Sequence, residues 1–303
     1  MQKKNSRQRM LVEEQRALVL DSGGFVSDHL KLSISGGEMG LKTIRDLEPE
    51  IPLLFVPEQC MPRPADFALD FDGSELSATQ LPDGEATDLQ TRFMQGMAAL
   101  YSETGKISTY RKNSPYTALL PWQELLAVLD SSCSIQLYPD YQNKAAFDLQ
   151  RAVFFASRTY TGYDDQRERI MPLIDFADHH IAAPGYVQCP SDNFPQSGVE
   201  IRSHGLIAGA GRNCLVSYLY MDRLECFLRY GFYDESPGFM RSVPVSIELP
   251  GGYDFIINAR PLHGSSLPIE ARDFSDGVMQ FFTSKYLRHD KGIETGYALV
   301  PNE

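Results

Sequence analysis

Four side chains that could perform chemistry lie close together near the middle of the chain. The stretch RERIMPLIDFADHHIAAP, residues 167–184, sets Asp175, Asp178, His179 and His180 after a short apolar run. Carboxylates and imidazoles can bind a metal ion, exchange protons with a substrate, or line the site of a bound cofactor. The surrounding sequence decides between these three possibilities.

A metal site is poorly supported by the spacing. Asp178, His179 and His180 are adjacent, and adjacent side chains on a strand or turn point in different directions, so they rarely converge on one ion. A further ligand would have to come from a distant residue, of which His204 is the nearest histidine. We therefore expect no metal here.

Other catalytic and phosphate-binding patterns are also weak. A triad of Asp175, His179 and a serine lacks the G-x-S-x-G motif that exposes a nucleophilic serine. The glycine-rich pieces SGGEMGL and AGAGR match neither a P-loop nor a full dinucleotide fingerprint. The second of them is most simply a hairpin turn.

Composition limits the kind of protein. At 303 residues and 43% hydrophobic, the chain can bury a substantial core in one elaborated domain or in two. Five cysteines without a CxxC pair favour a reducing compartment over disulfides or a zinc ribbon. The sequence contains no apolar run of signal-peptide or transmembrane length, so we expect a soluble, cytoplasmic protein.

The chain is strongly acidic, with a net charge of -12. This charge repels phosphate backbones and argues against nucleic acid as a partner, and no membrane partner is indicated either. It favours a cationic substrate. The simpler alternative, that the acidic surface only keeps the protein soluble, stays open.

The order of predicted elements is strands, then helices, then strands. An N-terminal helix reaches about Leu20, and strands follow near residues 31–34, 40–43 and 53–56, whereas residues 83–155 carry helical spacing. Short strands return after Arg169, and GVEIRSHGLIAGAGRNCLVSYL has the pattern of strand, glycine turn and strand. Helices do not alternate regularly with strands, which argues against a doubly wound sheet.

The C-terminal part is predicted as a helix, a hairpin and a second helix. DRLECFLRYGF, residues 222–232, has the pattern of a short amphipathic helix. A hairpin is expected around residues 250–252, and a closing helix over residues 273–289, with Asp273 or Ser275 as its N-cap.

Four separated stretches together resemble the SET-domain methyltransferases, in particular the branch of the Rubisco large-subunit methyltransferase. ISGGEMGLKTIRDLEPEIPLLFVP resembles G-x-G-L-x-A-x-x-x-I followed by a strand that ends in proline, and SRTY resembles S-R-x-F. IMPLIDFADHH is similar to V-P-x-x-D-x-x-N-H-S. AGAGRNCLVSYLYMDRLECFLRYGF is similar to a glycine turn with Y-G and a later Y-G-F. The resemblance spans residues 23–232.

The resemblance implies an α+β fold, in which a β-rich SET-like domain of short strands with a knot-like crossing is interrupted by a helical insert. The expected segments are residues 1–82 for the N-terminal helix and the first part of the SET-like fold, 83–155 for the insert, 156–235 for the second part with the site motifs, and 236–303 for a C-terminal extension. This extension of strands and a helix would replace the large helical lobe of that branch.

The resemblance also implies a cofactor, S-adenosylmethionine, and a set of residues around it. The implied cofactor-binding residues are Glu38, Met39, Gly40, Leu41, Arg158, Asp175, Asp178 and His179. Tyr218 is the implied catalytic tyrosine, with Tyr220 as the alternative, and Tyr230 is expected to line the lysine channel. Each has an ordinary structural alternative: a turn for the glycine, a salt bridge for Arg158, and core packing for the tyrosines.

The sequence departs from the family pattern at three positions. Asp178 stands in place of Asn, His180 in place of Ser, and Leu219 in place of the Gly that follows the tyrosine. An ionised Asp only accepts hydrogen bonds, whereas Asn also donates, but a carboxylate can pair with the ammonium of the methionine moiety. Leu219 makes the backbone less permissive at that point.

The implied activity is methylation of a lysine on a protein by direct displacement onto a neutral amine. An S-adenosylmethionine-dependent enzyme acting on a small amine or amino acid is the second hypothesis, because the reduced C-terminal lobe leaves less surface for a protein. An inactive SET-like binding module is the third hypothesis, because of the departures at Asp178 and Leu219.

Overall fold

The structure is a computed structural model, and its residues fall into two compact units, Met1–Lys112 with Arg151–Tyr220 and Asn113–Gln150 with Met221–Glu303. It describes the following residues: 2–35, 38–72, 75–113, 154–155, 157–162, 165, 167–209, 211–218, 226–227, 230–232, 240–241, 245–249, 253–258, 280–289 and 292–300. Most of the predicted helical insert, including PWQELLAVLDSS and most of NKAAFDLQRAVFFASRTY, lies outside this part of the chain.

The first unit has helices where the sequence predicts them. They are α1 (Gln2–Asp21), α2 (Asp88–Glu103) and α3 (Lys106–Asn113). A capping box starts α2, since the Gln90 main-chain N–H donates to the Thr87 hydroxyl and the Thr87 N–H donates to the Gln90 side chain. The buried face of α2 carries apolar residues at helical spacing: Phe93, Met94, Met97, Ala98, Leu100 and Tyr101.

The core of the first unit includes a four-stranded antiparallel sheet. Its strands are β1 (Phe25–Val26), β4 (Pro52–Pro57), β10 (Val187–Cys189) and β11 (Gly198–Arg202), in the order β1-β4-β11-β10. The apolar run LLFV of β4 is fully buried, as expected for a central strand. Gly198 lies opposite Pro57, where an added Cβ would come within 2.4 Å of the Val56 carbonyl.

Three further antiparallel strand pairs belong to the first unit. They are β2 (Leu30–Ser35) with β3 (Glu38–Thr43), β5 (Phe67–Asp72) with β6 (Glu75–Gln80), and β7 (Thr159–Thr161) with β8 (Glu168–Ile170). The strands predicted at residues 31–34, 40–43 and 53–56 are therefore confirmed. The β5–β6 hairpin has no counterpart in the sequence prediction.

The hairpin turn predicted at AGAGR is wrong. β12 (Leu215–Val216) does not pair with β11 but lies parallel to β9 (Asp178–His179) in a separate two-stranded sheet. The glycines do form turns, with φ of 77° at Gly209 and 62° at Gly211. The residues after them pair with β3 instead, so the chain crosses from one sheet to another rather than folding back.

In the described part of the second unit the regular structure is mainly sheet. Its strands are β13 (Met240–Arg241), β14 (Val245–Leu249), β15 (Tyr253–Asn258), β16 (Gln280–His289) and β17 (Gly292–Val300). The predicted hairpin is confirmed, because β14 and β15 are antiparallel with Leu249 opposite Tyr253.

The predicted closing helix over residues 273–289 is wrong. Residues Gln280–His289 form β16, which pairs antiparallel with β17. QFFTSKYLRH carries three aromatic side chains and one threonine, which favour a strand, and its pairing with β17 is not visible to a test of helical spacing within the segment. The proposed caps Asp273 and Ser275 lie outside the described residues.

The helix predicted over residues 222–232 is described at only a few positions. Cys226, Phe227 and Tyr230 are helical, and the Gly231 N–H donates to the Phe227 carbonyl. Across the described part of the chain, none of the helices combines the length and apolar character that crossing a bilayer requires.

Candidate functional site

Main-chain hydrogen bonds join the first predicted motif to the last. The Cys214 N–H donates to the Leu41 carbonyl at 2.8 Å, and the Thr43 N–H donates to the Arg212 carbonyl at 2.8 Å. Residue 42 of β3 forms an antiparallel bridge with residue 213. The segment after the glycine turns therefore extends the β2–β3 hairpin by a short third strand.

The same segment also pairs with the stretch that holds Asp178 and His179. Leu215 lies opposite Asp178 and Val216 opposite His179, in parallel register, and the Asp178 N–H donates to the Cys214 carbonyl at 3.2 Å. Cys214 thus bonds to β3 through its N–H and to β9 through its carbonyl. Three motifs that are far apart in the sequence meet in one patch, which we call the motif patch: β3, residues 211–218 and residues 174–180.

The β3 residues contribute both packing and close approach. Met39 and Leu41 are buried, and Gly40 between them is half-buried. A Cβ at Gly40 would lie 3.9 Å from Oδ2 of Asp178, so this glycine faces the carboxylate. Glu38 begins β3, and its side chain lies outside the described part of the structure.

Tyr218 is bonded to the 174–180 segment through both its side chain and its main chain. Its hydroxyl donates to the Ala177 carbonyl at 2.6 Å, and its main-chain N–H donates to Nδ1 of His179 at 3.1 Å. Because an N–H can only donate, Nδ1 is the unprotonated ring nitrogen, and the neutral imidazole carries its proton on Nε2. The rings of His179 and Tyr218 are 5.0 Å apart, and the Tyr186 ring stacks on Tyr218 at 6.3 Å.

Asp175 lies in a 3-10 helix, Ile174–Phe176, and faces two cations. Lys106 donates from Nζ to the Asp175 main-chain carbonyl at 2.6 Å and to its Oδ2 at 3.2 Å. Nε of Arg158 is 3.8 Å from the same Oδ2. The side chains are 8% exposed for Asp175, 10% for Arg158 and 25% for Lys106, so water screens this cluster weakly.

The two cations, Lys106 and Arg158, each pack against an aromatic ring. The Arg158 guanidinium carbon is 4.3 Å from the centroid of Phe154, and Lys106 Nζ is 4.4 Å from that of Phe176. Tyr101 packs edge-on against Phe154 at 5.3 Å. These contacts hold both cations by cation–π attraction and keep them out of bulk water.

The pKa shifts in this cluster follow from burial and from Asp175. Burial lowers the pKa of Lys106, although the Asp175 carboxylate acts in the opposite direction, as does Asp178 more weakly. Burial also disfavours the charge of Arg158, but Asp175 and Tyr101 outweigh it, and the pKa of Arg158 is raised. Burial raises the pKa of Tyr101 well above its ordinary value, with Asp175 adding to the effect.

Nε of Arg158 and the hydroxyl of Tyr101 are buried without a hydrogen-bond partner in the described part of the chain. Nη1 of Arg158 donates a long bond of 3.4 Å to the Ser157 hydroxyl. A buried guanidinium N–H left unpaired is costly, so a ligand acceptor would be favourable there. Asp178 is exposed, and its carboxylate acts electrostatically on Lys106 of this cluster.

Most of the residues singled out in the sequence lie together within the first unit. Met39, Gly40, Leu41, Asp175, Asp178, His179 and Tyr218 lie in the motif patch, and Arg158, which is outside the patch, faces Asp175 at 3.8 Å. Tyr230 belongs to the second unit, where its ring lies 5.7 Å from that of Phe232. Leu219 and the alternative tyrosine Tyr220 lie outside the described residues.

Sequence reasoning missed Lys106 and the Ala177 carbonyl. Lys106 precedes Asp175 by 69 positions, at the start of α3, and nothing in its local sequence distinguishes it from a surface lysine. The Ala177 carbonyl is a main-chain group, which a residue pattern cannot reveal.

The histidines near the motif patch make local bonds. Nδ1 of His180 accepts the Ala182 N–H at 3.1 Å, and Nε2 of His204 is 2.8 Å from the Asn213 carbonyl. No group of three His, Cys, Asp or Glu residues in the described ranges has an arrangement that could hold a metal ion.

Comparisons with known proteins returned structural matches only. No family model matches the sequence, and no curated protein matches it. The SET domain of LSMT bound to lysine and AdoHcy is similar over 80% of this chain and 61% of its own, with 14% identity and a TM-score of 0.43. Rubisco LSMT bound to AdoMet is similar over 80% of this chain and 60% of its own, with 13% identity and a TM-score of 0.40.

The chain thus spans about three-fifths of the length of these structures.

Proposed function

We propose that the protein is an S-adenosylmethionine-dependent N-methyltransferase that methylates lysine side chains of a protein substrate. The observation that carries the proposal is the motif patch, in which Gly40, Asp178 and Tyr218 come from three distant stretches and meet through main-chain pairing. These stretches are the ones that resemble the family in sequence. A chance resemblance gives no reason for them to be neighbours in space.

Two charged side chains, Asp178 in the motif patch and Arg158 next to Asp175, suit the amino-acid end of S-adenosylmethionine. Arg158, whose buried Nε has no hydrogen-bond partner among the described residues, would bind the carboxylate. Asp178 would bind the ammonium, in place of the family's Asn. Gly40, which faces the Asp178 carboxylate, leaves room for that contact.

S-adenosylmethionine supplies a methyl group activated by its sulfonium charge. The role of this chain is to orient the acceptor amine. Because the Tyr218 hydroxyl donates its proton to the Ala177 carbonyl, its oxygen presents lone pairs to the site and can accept an amine N–H. Orientation and electrostatics of this kind are the expected contributions in a direct displacement.

The acceptor amine must be neutral to attack. With an ordinary lysine pKa of about 10.4, deprotonation at pH 7 costs about 4 to 5 kcal/mol. An apolar lysine channel, which the family resemblance implies, and the nearby sulfonium would reduce this cost, so we assign no general base. The net charge of -12 favours a lysine-rich, cationic protein as the partner.

The fold features that the family resemblance implies are also part of the proposal. We infer a SET-like domain with a knot-like crossing near residues 178–180, divided by a helical insert at 83–155, with the domain boundaries given above. The order of the four sequence stretches supports this arrangement.

A transfer assay tests the proposal. The full chain is incubated with S-adenosylmethionine labelled in its methyl group and with unmodified lysine-rich proteins, and separately with free lysine. Label on lysine residues of a protein supports the proposal. Label on free lysine alone shows a small-amine enzyme, and binding of the cofactor without transfer to either acceptor shows a binding module; both results contradict the proposal.

A further inference from the structure

Among the residues that the structure describes, the cluster at Asp175 contains two cations, Lys106 and Arg158, and one carboxylate. Lys106 and Arg158 both face Asp175, and all three side chains are largely buried. Buried charges are costly unless each is compensated. The cluster therefore carries one positive charge more than it can neutralise internally, and Asp178, which is exposed, acts on Lys106 only weakly.

The two cations are not equivalent. Lys106 bonds Asp175 at both its main-chain carbonyl, at 2.6 Å, and its carboxylate, at 3.2 Å. Arg158 is farther away at 3.8 Å and makes no hydrogen bond to it. Lys106 is therefore the cation that neutralises Asp175, and Arg158 is the one whose charge remains for a ligand.

This asymmetry depends on Lys106. Without the ammonium, Asp175 would be a buried carboxylate with Arg158 as its nearest cation, and a small side-chain movement would close the 3.8 Å gap to a direct charge-assisted bond. Arg158 would then be occupied within the protein. A ligand that carries a carboxylate would then bind more weakly, whereas the affinity of a ligand without a carboxylate would not change.

We propose that Lys106 is a specificity residue, which occupies Asp175 and thereby keeps Arg158 available for the carboxylate of the ligand's amino-acid end. This inference rests on the proposed function, because it assumes that the ligand is S-adenosylmethionine. Lys106 does not touch the ligand in this account. It acts through Arg158, and it makes the site select nucleosides that carry an amino-acid group.

Calorimetric titration with two ligands tests this role. S-adenosylhomocysteine carries the amino-acid end and 5′-methylthioadenosine lacks it. In Lys106→Met we expect the affinity for S-adenosylhomocysteine to fall about tenfold or more, which is the scale of one charge-assisted bond, and that for 5′-methylthioadenosine to stay within about twofold. Lys106→Arg, which keeps the charge, should retain most of the affinity for S-adenosylhomocysteine.

A second variant separates this mechanism from a general loss of structure. Adding Asp175→Asn to Lys106→Met removes the internal partner that would capture Arg158. Lys106→Met should lose the preference for S-adenosylhomocysteine, and the double variant should regain it. A second substitution would not restore this preference if the first had damaged the fold. Lys106→Gln, which also removes the ammonium but keeps a polar side chain, serves if Lys106→Met does not fold, and the same loss of preference is expected from it.

The outcomes distinguish this inference from the proposed function. Equal losses for both ligands in Lys106→Met, no loss for either, or no recovery in the double variant would overturn the role of Lys106. If the wild-type protein binds neither ligand, the proposed function itself fails.

Discussion

The hydroxyl of Tyr218 donates a hydrogen bond of 2.6 Å to the main-chain carbonyl of Ala177. The two residues are 41 positions apart, and the bond fixes the phenol oxygen against the segment that carries Asp175, Asp178 and His179. In the proposed reaction this oxygen is an acceptor whose direction is set in advance.

Removal of this oxygen should affect turnover more than binding. In Tyr218→Phe we expect methyl transfer to slow by about a hundredfold, the scale found when one pre-oriented polar group is removed from an active site. The affinity for S-adenosylmethionine should change less than about threefold, because the ring and the main-chain bond to His179 remain. Single-turnover transfer and calorimetry measure the two effects.

Tyr186→Phe is the matched control, since its ring stacks on Tyr218 and the substitution preserves that ring. Equal loss of turnover in both variants would contradict a specific role for the Tyr218 oxygen.

Gly40→Ala tests the contact between β3 and Asp178. The added Cβ would lie 3.9 Å from the Asp178 carboxylate, which is an ordinary contact, so the protein should fold with unchanged stability. The methyl group would occupy space beside the carboxylate that the ligand ammonium needs. We expect the affinity for S-adenosylmethionine to fall at least about fivefold, measured by calorimetry.

Gly185→Ala is the control for this substitution, because an added Cβ there meets no atom within 4 Å. If Gly40→Ala binds the cofactor as tightly as Gly185→Ala does, Gly40 has no part in the site.

Gly198→Ala should lower the free energy of unfolding, and it does not alter a residue of the motif patch. Its Cβ would meet the Val56 carbonyl at 2.4 Å and the Phe55 ring at 2.7 Å, in the middle of the four-stranded sheet. Such overpacking costs about 1 to 3 kcal/mol of the free energy of unfolding, so we expect the urea midpoint to fall clearly. A midpoint equal to that of Gly185→Ala would contradict the register of β4 and β11.

Two buried thiols should be inert in the folded protein. Burial raises the pKa of Cys60 to about 11 and that of Cys214 to about 12. At pH 8 both thiols are therefore almost entirely protonated, and since the thiolate is the reactive form and both side chains are buried, their labelling in the folded protein should be far slower than in urea at the same pH. Mass spectrometry after treatment with a thiol reagent should show both labelled only in urea.

Rapid labelling of Cys214 in the native state would contradict the close pairing of its segment with β3 and β9.

Local sequence patterns predicted the elements whose cause is local. The helical spacing of α2 and the apolar run of β4 each have one consistent interpretation, and both elements formed as expected. Residues 280–289 do not form the predicted helix. The sequence QFFTSKYLRH suits either a helix or a strand, and its pairing with β17 makes it a strand.

The sequence motifs predict which residues belong to the site, but not how these residues come together. Residues at Gly40, Asp178 and Tyr218 were recognisable, but their joining depends on the parallel pairing of β9 with β12, which connects segments about 37 residues apart. Lys106 could not be found, because its role comes from a contact 69 positions away and not from its neighbours.

The most direct test of the account is calorimetric titration of the wild-type protein and of Asp178→Ala with S-adenosylmethionine. The account predicts binding of one ligand per chain by the wild type, and an affinity at least about tenfold lower in Asp178→Ala, because the ligand ammonium loses its carboxylate. No binding by the wild type at millimolar ligand, or equal binding by the two proteins, would contradict it.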